Sequence, residues 1–195
     1  VWRDVEVVNV VAVLKGKVNP ERQVIISGHY DSLNRISKAK PADSDADTPG
    51  EEDHDATTKA VAPGVNDDGS GTAAVMELAR VMSRYEWNNT VVFIAFDGEE
   101  YGLLGSRAYA EQAKKAKQQI EAVLNNDIIG NIHGQNGAVD NTHVRVFSEG
   151  SRTNETPDQA KARHDAGGEL DSPSRNLARF IQDLAERYLP DLQVK

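Results

Sequence analysis

Four short stretches of this sequence carry side chains that bind divalent cations or move protons. They are His29-Tyr30-Asp31-Ser32, Asn66-Asp67-Asp68-Gly69, Asp97-Gly98-Glu99-Glu100 and Asn126-Asp127. Imidazole and carboxylate together, with no cysteine in the chain, suit Zn²⁺, Co²⁺ or Mn²⁺ better than a thiolate structural site does. Carboxylates crowded at one place repel each other and hold their protons to higher pH. Divalent cations remove that penalty, and one carboxylate can bridge two ions about 3.5–4 Å apart. The adjacent Glu99 and Glu100 divide labour naturally, one ligating while its neighbour takes a proton from metal-held water.

Each stretch alone has a plainer reading. A single histidine is more often structural, Asp67-Asp68-Gly69 reads as a helix cap or turn, and Glu99-Glu100 as a solvated acidic pair. Asp127 is different, because an acid that follows Val123 and Leu124 at the end of an apolar run needs a partner. Only the joint occurrence of all four points to a site. His54, His133, His143 and His164 lie in polar or edge contexts and read as ordinary histidines. The acidic run over 51–55 reads as a solvated loop.

The elements that must hold these groups are legible as apolar runs. Gln23 to Ser27 is a short strand that stops just before His29. Thr90 to Phe96 is a near-continuous apolar run, as in a strand covered on both faces, and it stops at Asp97. Ala122 to Ile129 is a third core strand and contains Asp127. Ser70 to Tyr85 has helical spacing, with Val75, Leu78 and Met82 on one face, and it follows Asp67 directly. Val5 to Leu14 and His143 to Ser148 read as further strands, and Leu103 to Lys117 as a helix. Ser174 to Tyr188 is an amphipathic helix with Leu177, Phe180, Ile181 and Leu184 on its buried side, stopped by Pro190. A polar excursion loop is expected over 34–63, and Ser151 to Asp171 also reads as loop. Strands alternating with helices predict a layered α/β fold with a largely parallel sheet, whose ligands gather at the carboxyl ends of its strands.

Composition sets the outer limits. The chain has 195 residues, a formal net charge of −9 and 38% hydrophobic residues. That length predicts one domain with a real core. The acidic balance argues against nucleic acid as a partner. No stretch approaches the roughly 18 apolar residues that a membrane span needs. Oligomeric state is not legible.

Taken in order, His29-Tyr30-Asp31-Ser32, then Pro63 through Gly71, then Asp97 through Ser106, then Asn126-Asp127 resemble the M28 family of co-catalytic zinc aminopeptidases. The resemblance covers most of the chain, from about Val8 to Pro190. It implies a three-layer α/β/α fold with a mixed, largely parallel central sheet, over a single catalytic domain spanning 1–195. It also implies roles for individual residues. His29 and Asp127 bind the first zinc, Asp67 bridges two ions, Glu100 binds the second, and Glu99 is the general base. Asp31 accepts a hydrogen bond from His29 and fixes its tautomer. The Asp67–Asp68 peptide is expected to be cis.

The implied reaction is hydrolysis of the peptide bond after a substrate's N-terminal residue by a metal-bridging hydroxide, with peptide or protein N-termini as substrate and a secreted or periplasmic location. Carboxypeptidase or dipeptidase relatives, a one-zinc glutaminyl cyclase, and a non-catalytic binding homologue are the alternatives within the same fold. One departure is visible. The family's second zinc has a further His ligand beyond the last helix, and no histidine here occupies a matching place. A C-terminal strand and that ligand are therefore expected to be missing from this chain.

Overall fold

The computed structural model describes residues 4–38, 51–134, 136–149, 155–168 and 172–195, without the side chains of His54 and Thr58. The chain resolves into two compact units, Val1–Asn131 and Ile132–Lys195.

The first unit holds strands β1 (Val10–Leu14), β2 (Asn19–His29), β3 (Asn89–Phe96) and β4 (Gln119–Asn125), and helices α1 (His54–Lys59), α2 (Gly69–Met82) and α3 (Leu104–Lys115). The sheet order is β1-β3-β2-β4. β1 runs antiparallel to β3, whereas β2 is parallel to both β3 and β4. This is the mixed, largely parallel sheet that was expected.

The continuous apolar run of β3 is explained by its two covered faces. Successive residues of a strand point to opposite sides. Val91 and Phe93 therefore join Ile26 and Val75 of α2 in one buried cluster, with Leu14, Ala79, Met82 and Trp87 packed against it. Val92 and Ile94 join Ile25 on the other face, with Phe96 and Tyr109 of α3 packed against them. Helices thus cover both faces, which makes three layers.

The connections place the site. β2 leads through α2 to β3 on one side of it, and β3 leads through α3 to β4 on the other. The crossovers that leave β2 and β3 thus run in opposite directions, and ligands of such sheets bind outside the carboxyl ends of the strands at that point.

The second unit holds β5 (His143–Val144), α4 (Pro157–Asp165), α5 (Pro173–Tyr188) and β6 (Gln193–Val194), with β5 and β6 parallel. His143 is held there by Asp140, Thr142 and Gln193.

Several local expectations need correction. β1 begins at Val10 rather than Val5. The excursion loop contains α1, capped by the Asp53 side chain, and an isolated antiparallel bridge from Ser37 to Glu52. Residues 39–50 of that loop lie outside the described residues, as does the side chain of His54. α4 lies inside the segment read as loop. It buries no side chain, so no apolar stripe marks it. Its signal was the capping box formed by Thr156 and Gln159 around Pro157. In α5 the expected buried side is only partly covered, since Ala185 is buried while Phe180 and Leu184 are exposed. Of the 151–171 segment, residues 151–154 and 169–171 lie outside the described residues.

Candidate metal centre

The carboxyl ends of β2, β3 and β4, with the loop that enters α2, deliver the expected side chains to one place. His29 is the last residue of β2 and is only 3% exposed. Its Nε2 lies 3.1 Å from Asp67 Oδ1, 3.9 Å from Glu99 Oε2 and 3.9 Å from Asp127 Oδ2. Its Nδ1 lies 3.0 Å from the main-chain carbonyl of Asp31. A carbonyl only accepts, so Nδ1 carries the hydrogen and the Nε2 lone pair faces the carboxylates.

Asp31 therefore acts differently from expectation. Its Oδ1 stands 3.6 Å from the His29 ring, and its main-chain oxygen takes the hydrogen bond instead. The carboxylate is occupied elsewhere, accepting from Glu99 N at 3.0 Å and Glu100 N at 3.1 Å. Two successive amides at a turn suit the two oxygens of a carboxylate, and the ionised acceptor strengthens both bonds. Asp31 thus fixes the backbone on which both glutamates stand. The Asp67–Asp68 peptide is cis, as the resemblance implied.

Glu100 joins Asp67 in the wall of an adjoining open cavity of about 300 Å³. Leu33, Asn34, Ala62, Pro63, Gly64 and Val65 complete the lining. Ser32 Oγ donates to the Ala62 carbonyl and Asn34 Nδ2 to the Val61 carbonyl, which ties the two walls together.

Two residues that serve the site escaped the sequence reading. Asn9 braces the glutamate loop, accepting from Asp97 N at 3.2 Å and donating to the Gly105 carbonyl at 2.9 Å. Asp68 is buried between the ligand-bearing segments. The spacing of Asn9 carries no signal, because its partners are 88 and 96 residues away. Asp68 was legible only as a cap, and it does cap α2.

The donor set fits zinc. Two ligands each about 2.0–2.1 Å from a tetrahedral ion lie about 3.3 Å apart. The spacings of 3.1–3.9 Å around His29 Nε2 bracket that value. Ligand atoms of His29, Asp68 and Asp127 also lie within 4.8 Å of one another. Both Asp68 oxygens, however, already accept main-chain N–H groups.

Proton affinities follow from this crowding. Burial lowers the His29 pKa, but the Asp31 carbonyl and the charges of Glu99, Asp68 and Asp127 outweigh it and the net shift is upward. Burial chiefly raises Asp127, aided by Asp68 and Asp67 and opposed by His29. Burial also chiefly raises Glu99; His29 opposes this, while Asp127, Glu100 and Asp31 add to it.

A metal ion held by His29 and Asp127 would need the imidazole neutral and the carboxylate ionised, so its binding would expel protons. Zinc affinity is expected to rise with pH through the raised His29 value, above the ordinary 6.5, and then to level off. The stability sign runs the same way. Protonated His29 favours the metal-free fold below its unfolded pKa, and that contribution is lost as pH rises through the folded value. The raised acids Glu99 and Asp127 likewise favour the metal-free fold in their protonated forms. The Tm gain produced by zinc should therefore widen from about pH 5 to about pH 8 in scanning calorimetry. A gain that shrinks over that range contradicts the assignment.

Comparison with known proteins identifies the family. The profile of peptidase family M28 matches residues 9–170. A probable zinc metalloprotease of Pyricularia oryzae is 41% identical over 191 residues, covering 97% of this chain and 34% of that protein. Another, of Pyrenophora tritici-repentis, is 37% identical over 191 residues, covering 98% of this chain and 40% of that protein. The chain thus spans about a third to two-fifths of the length of these curated relatives. Among solved structures, the LapA aminopeptidase of Legionella pneumophila superposes with a TM-score of 0.60 at 21% identity, covering 96% of this chain and 37% of that one. That likeness speaks for the fold. With the motifs in family order and the profile matched over most of its length, this chain belongs to peptidase family M28.

Proposed function

We propose that this chain carries the metal-binding and proton-transfer part of a zinc exopeptidase, and that the enzyme is an aminopeptidase. The observation that carries the reading is the acid-walled cavity beside the His29 cluster. Asp67 and Glu100 line it, and among the described residues no cation does. Such a wall suits the α-ammonium group of a peptide's first residue, whereas a C-terminal carboxylate calls for a cation. Arg35 is the nearby candidate for that cation, but its guanidinium donates to the Glu100 carbonyl and does not line the cavity. Leu33, Ala62, Pro63 and Val65 favour an apolar first side chain.

His29, Asp67 and Asp127 would hold one zinc, and Asp67 with Glu100 would contribute to a second. Zinc bound there supplies Lewis acidity and acidifies water. The protein's own groups do the rest. Glu99 takes the proton at its carboxylate and returns it to the leaving amine, and its raised pKa suits both transfers. Asp31 holds the Glu99 amide and Asn9 holds the Asp97 amide two residues before it, so the base needs little rearrangement to reach the proton. His29 keeps its tautomer through the Asp31 carbonyl.

The test uses the zinc-loaded, full-length protein and four versions of one short peptide. Its N-terminus is free or acetylated, and its C-terminus is free or amidated. Cleavage should vanish on acetylation and persist on amidation. The reverse pattern makes the enzyme a carboxypeptidase. No cleavage across a broad peptide panel ends the peptidase reading.

A further inference from the structure

We propose that Asp68 is a positioning residue of the metal centre, a carboxylate that binds no ion itself and locks the three backbone segments bearing His29, Asp67 and Asp127 into one arrangement. The inference rests on the reading of His29 and Asp127 as metal ligands. Asp68 is 1% exposed, among the most deeply buried side chains described. Its Oδ2 accepts from His29 N at 3.0 Å. Its Oδ1 accepts from Gly71 N at 2.9 Å and from Ile128 N at 3.3 Å. These donors belong to the end of β2, the first turn of α2 and the segment after β4. They lie 39, 3 and 60 residues from Asp68 in sequence. His29 and Ile128 are respectively a proposed ligand and the neighbour of one, and Asp67 precedes Asp68 directly.

A buried carboxylate is costly unless its charge is met. Here three charge-assisted N–H bonds meet it, with no cation required. The surroundings are built for that purpose. A Cβ on Gly28 would stand 2.8 Å from Oδ2, and one on Gly71 would collide with both oxygens and with the Asn126 carbonyl. Only glycine lets the main chain come so close. Thr72 Oγ1 donates to the His29 carbonyl at 2.7 Å, so α2 holds both main-chain groups of His29. Asn126 N bonds the Ser27 carbonyl at 2.8 Å, which joins β2 to the Asp127 segment independently. Asp68 is the one described side chain whose carboxylate receives amides from both of those strand ends. With its oxygens so engaged, it sets where His29 and Asp127 stand and is not available as a ligand.

The test compares the full-length parent with Asp68→Asn, which keeps the size and replaces an acceptor oxygen with a donor. Zinc affinity, read by chelator competition, should fall about 10–100-fold, as on loss of other groups that orient metal ligands. The number of zinc ions held at saturation, read by elemental analysis, should not change. kcat in saturating zinc should fall, with KM within about twofold of the parent, because Asp68 itself does not line the substrate cavity. A second measurement needs no variant. In the zinc-free parent, amide hydrogen exchange at His29, Gly71 and Ile128 should be as slow as in the interior of β2.

An Asp68→Asn protein that binds zinc within about twofold of the parent overturns the proposal. So does a folded variant that lacks one zinc at saturation, since Asp68 would then be a ligand. Fast exchange of those three amides overturns it as well, whether or not the variant folds. A parent that binds no zinc overturns the underlying metal reading and this inference together. That result is distinct from a parent that binds tightly and a variant that does so equally.

Discussion

Glu99→Gln is expected to leave the zinc content unchanged and to lower kcat by about 10²–10⁴-fold, the usual contribution of a positioned general base. The substitution keeps the size of the side chain and the main-chain bond from Glu99 N to Asp31. It removes the one property that the base requires, an acceptor that can take and return a proton. Glu99 Oε2 lies 3.9 Å from His29 Nε2, close enough to serve water held at the same centre. Because burial raises the Glu99 pKa, the acidic limb of the kcat/KM profile should lie above the ordinary carboxylate range. In Glu99→Gln, whatever activity persists should lack that limb. Elemental analysis of the purified variant, alongside steady-state rates, separates the two possible failures. Full zinc with near-parental kcat removes Glu99 from its role. Loss of zinc makes it a ligand.

The second large effect is on stability. Ile94→Ala is expected to lower the unfolding free energy by about 2–5 kcal/mol. Ile94 is fully buried, at 0% exposure, on the strand that runs directly into Asp97 and the two glutamates. It packs with Ile25 and Val92, and Phe96 and Tyr109 close over them. The two rings meet edge to face with centroids 6.0 Å apart, a contact that resists collapse into a void. The sheet backbone around Ile94 is paired on both sides, to Val11 of β1 and Ser27 of β2, which limits relaxation further. A loss of that size is a large share of the roughly 5–15 kcal/mol that holds a domain folded. Urea unfolding of the zinc-free protein measures it directly. A loss under about 1 kcal/mol means that the cluster closes over the gap.

Local patterns carried much of the architecture. The apolar stretches around Ile25 and Val92 predicted β2 and β3, because a strand buried on both faces needs an unbroken run of such residues. The run around Val123 predicted β4, but as a core strand over 122–129, whereas β4 is an edge strand over Gln119–Asn125 with Val123 exposed. The spacing of Val75 and Met82 predicted α2 for the corresponding reason at a period of 3.6. Acids and a histidine at the ends of those runs marked the site, since a parallel sheet sends its strand ends to one edge. α4 and the short strand β6 had no such pattern, and of the strand read over His143 to Ser148 only His143–Val144 pairs. A helix that buries no side chain, or a pair of residues in a strand, imposes none.

Residue types, their order and their local periodicity thus determined from sequence alone the peptidase family of this chain and most of the elements that present its candidate site residues. Strand order, the turn of the Asp31 carboxylate toward Glu99 and Glu100, the Asn9 brace and the burial of Asp68 were decided only by tertiary structure. The physical reason lies in the range of the interactions. Burial and periodicity act on neighbours along the chain and leave a record in composition. A hydrogen bond from an amide to a carboxylate 60 residues away, like that from Ile128 to Asp68, depends on how whole strands and helices pack, and no local pattern encodes it.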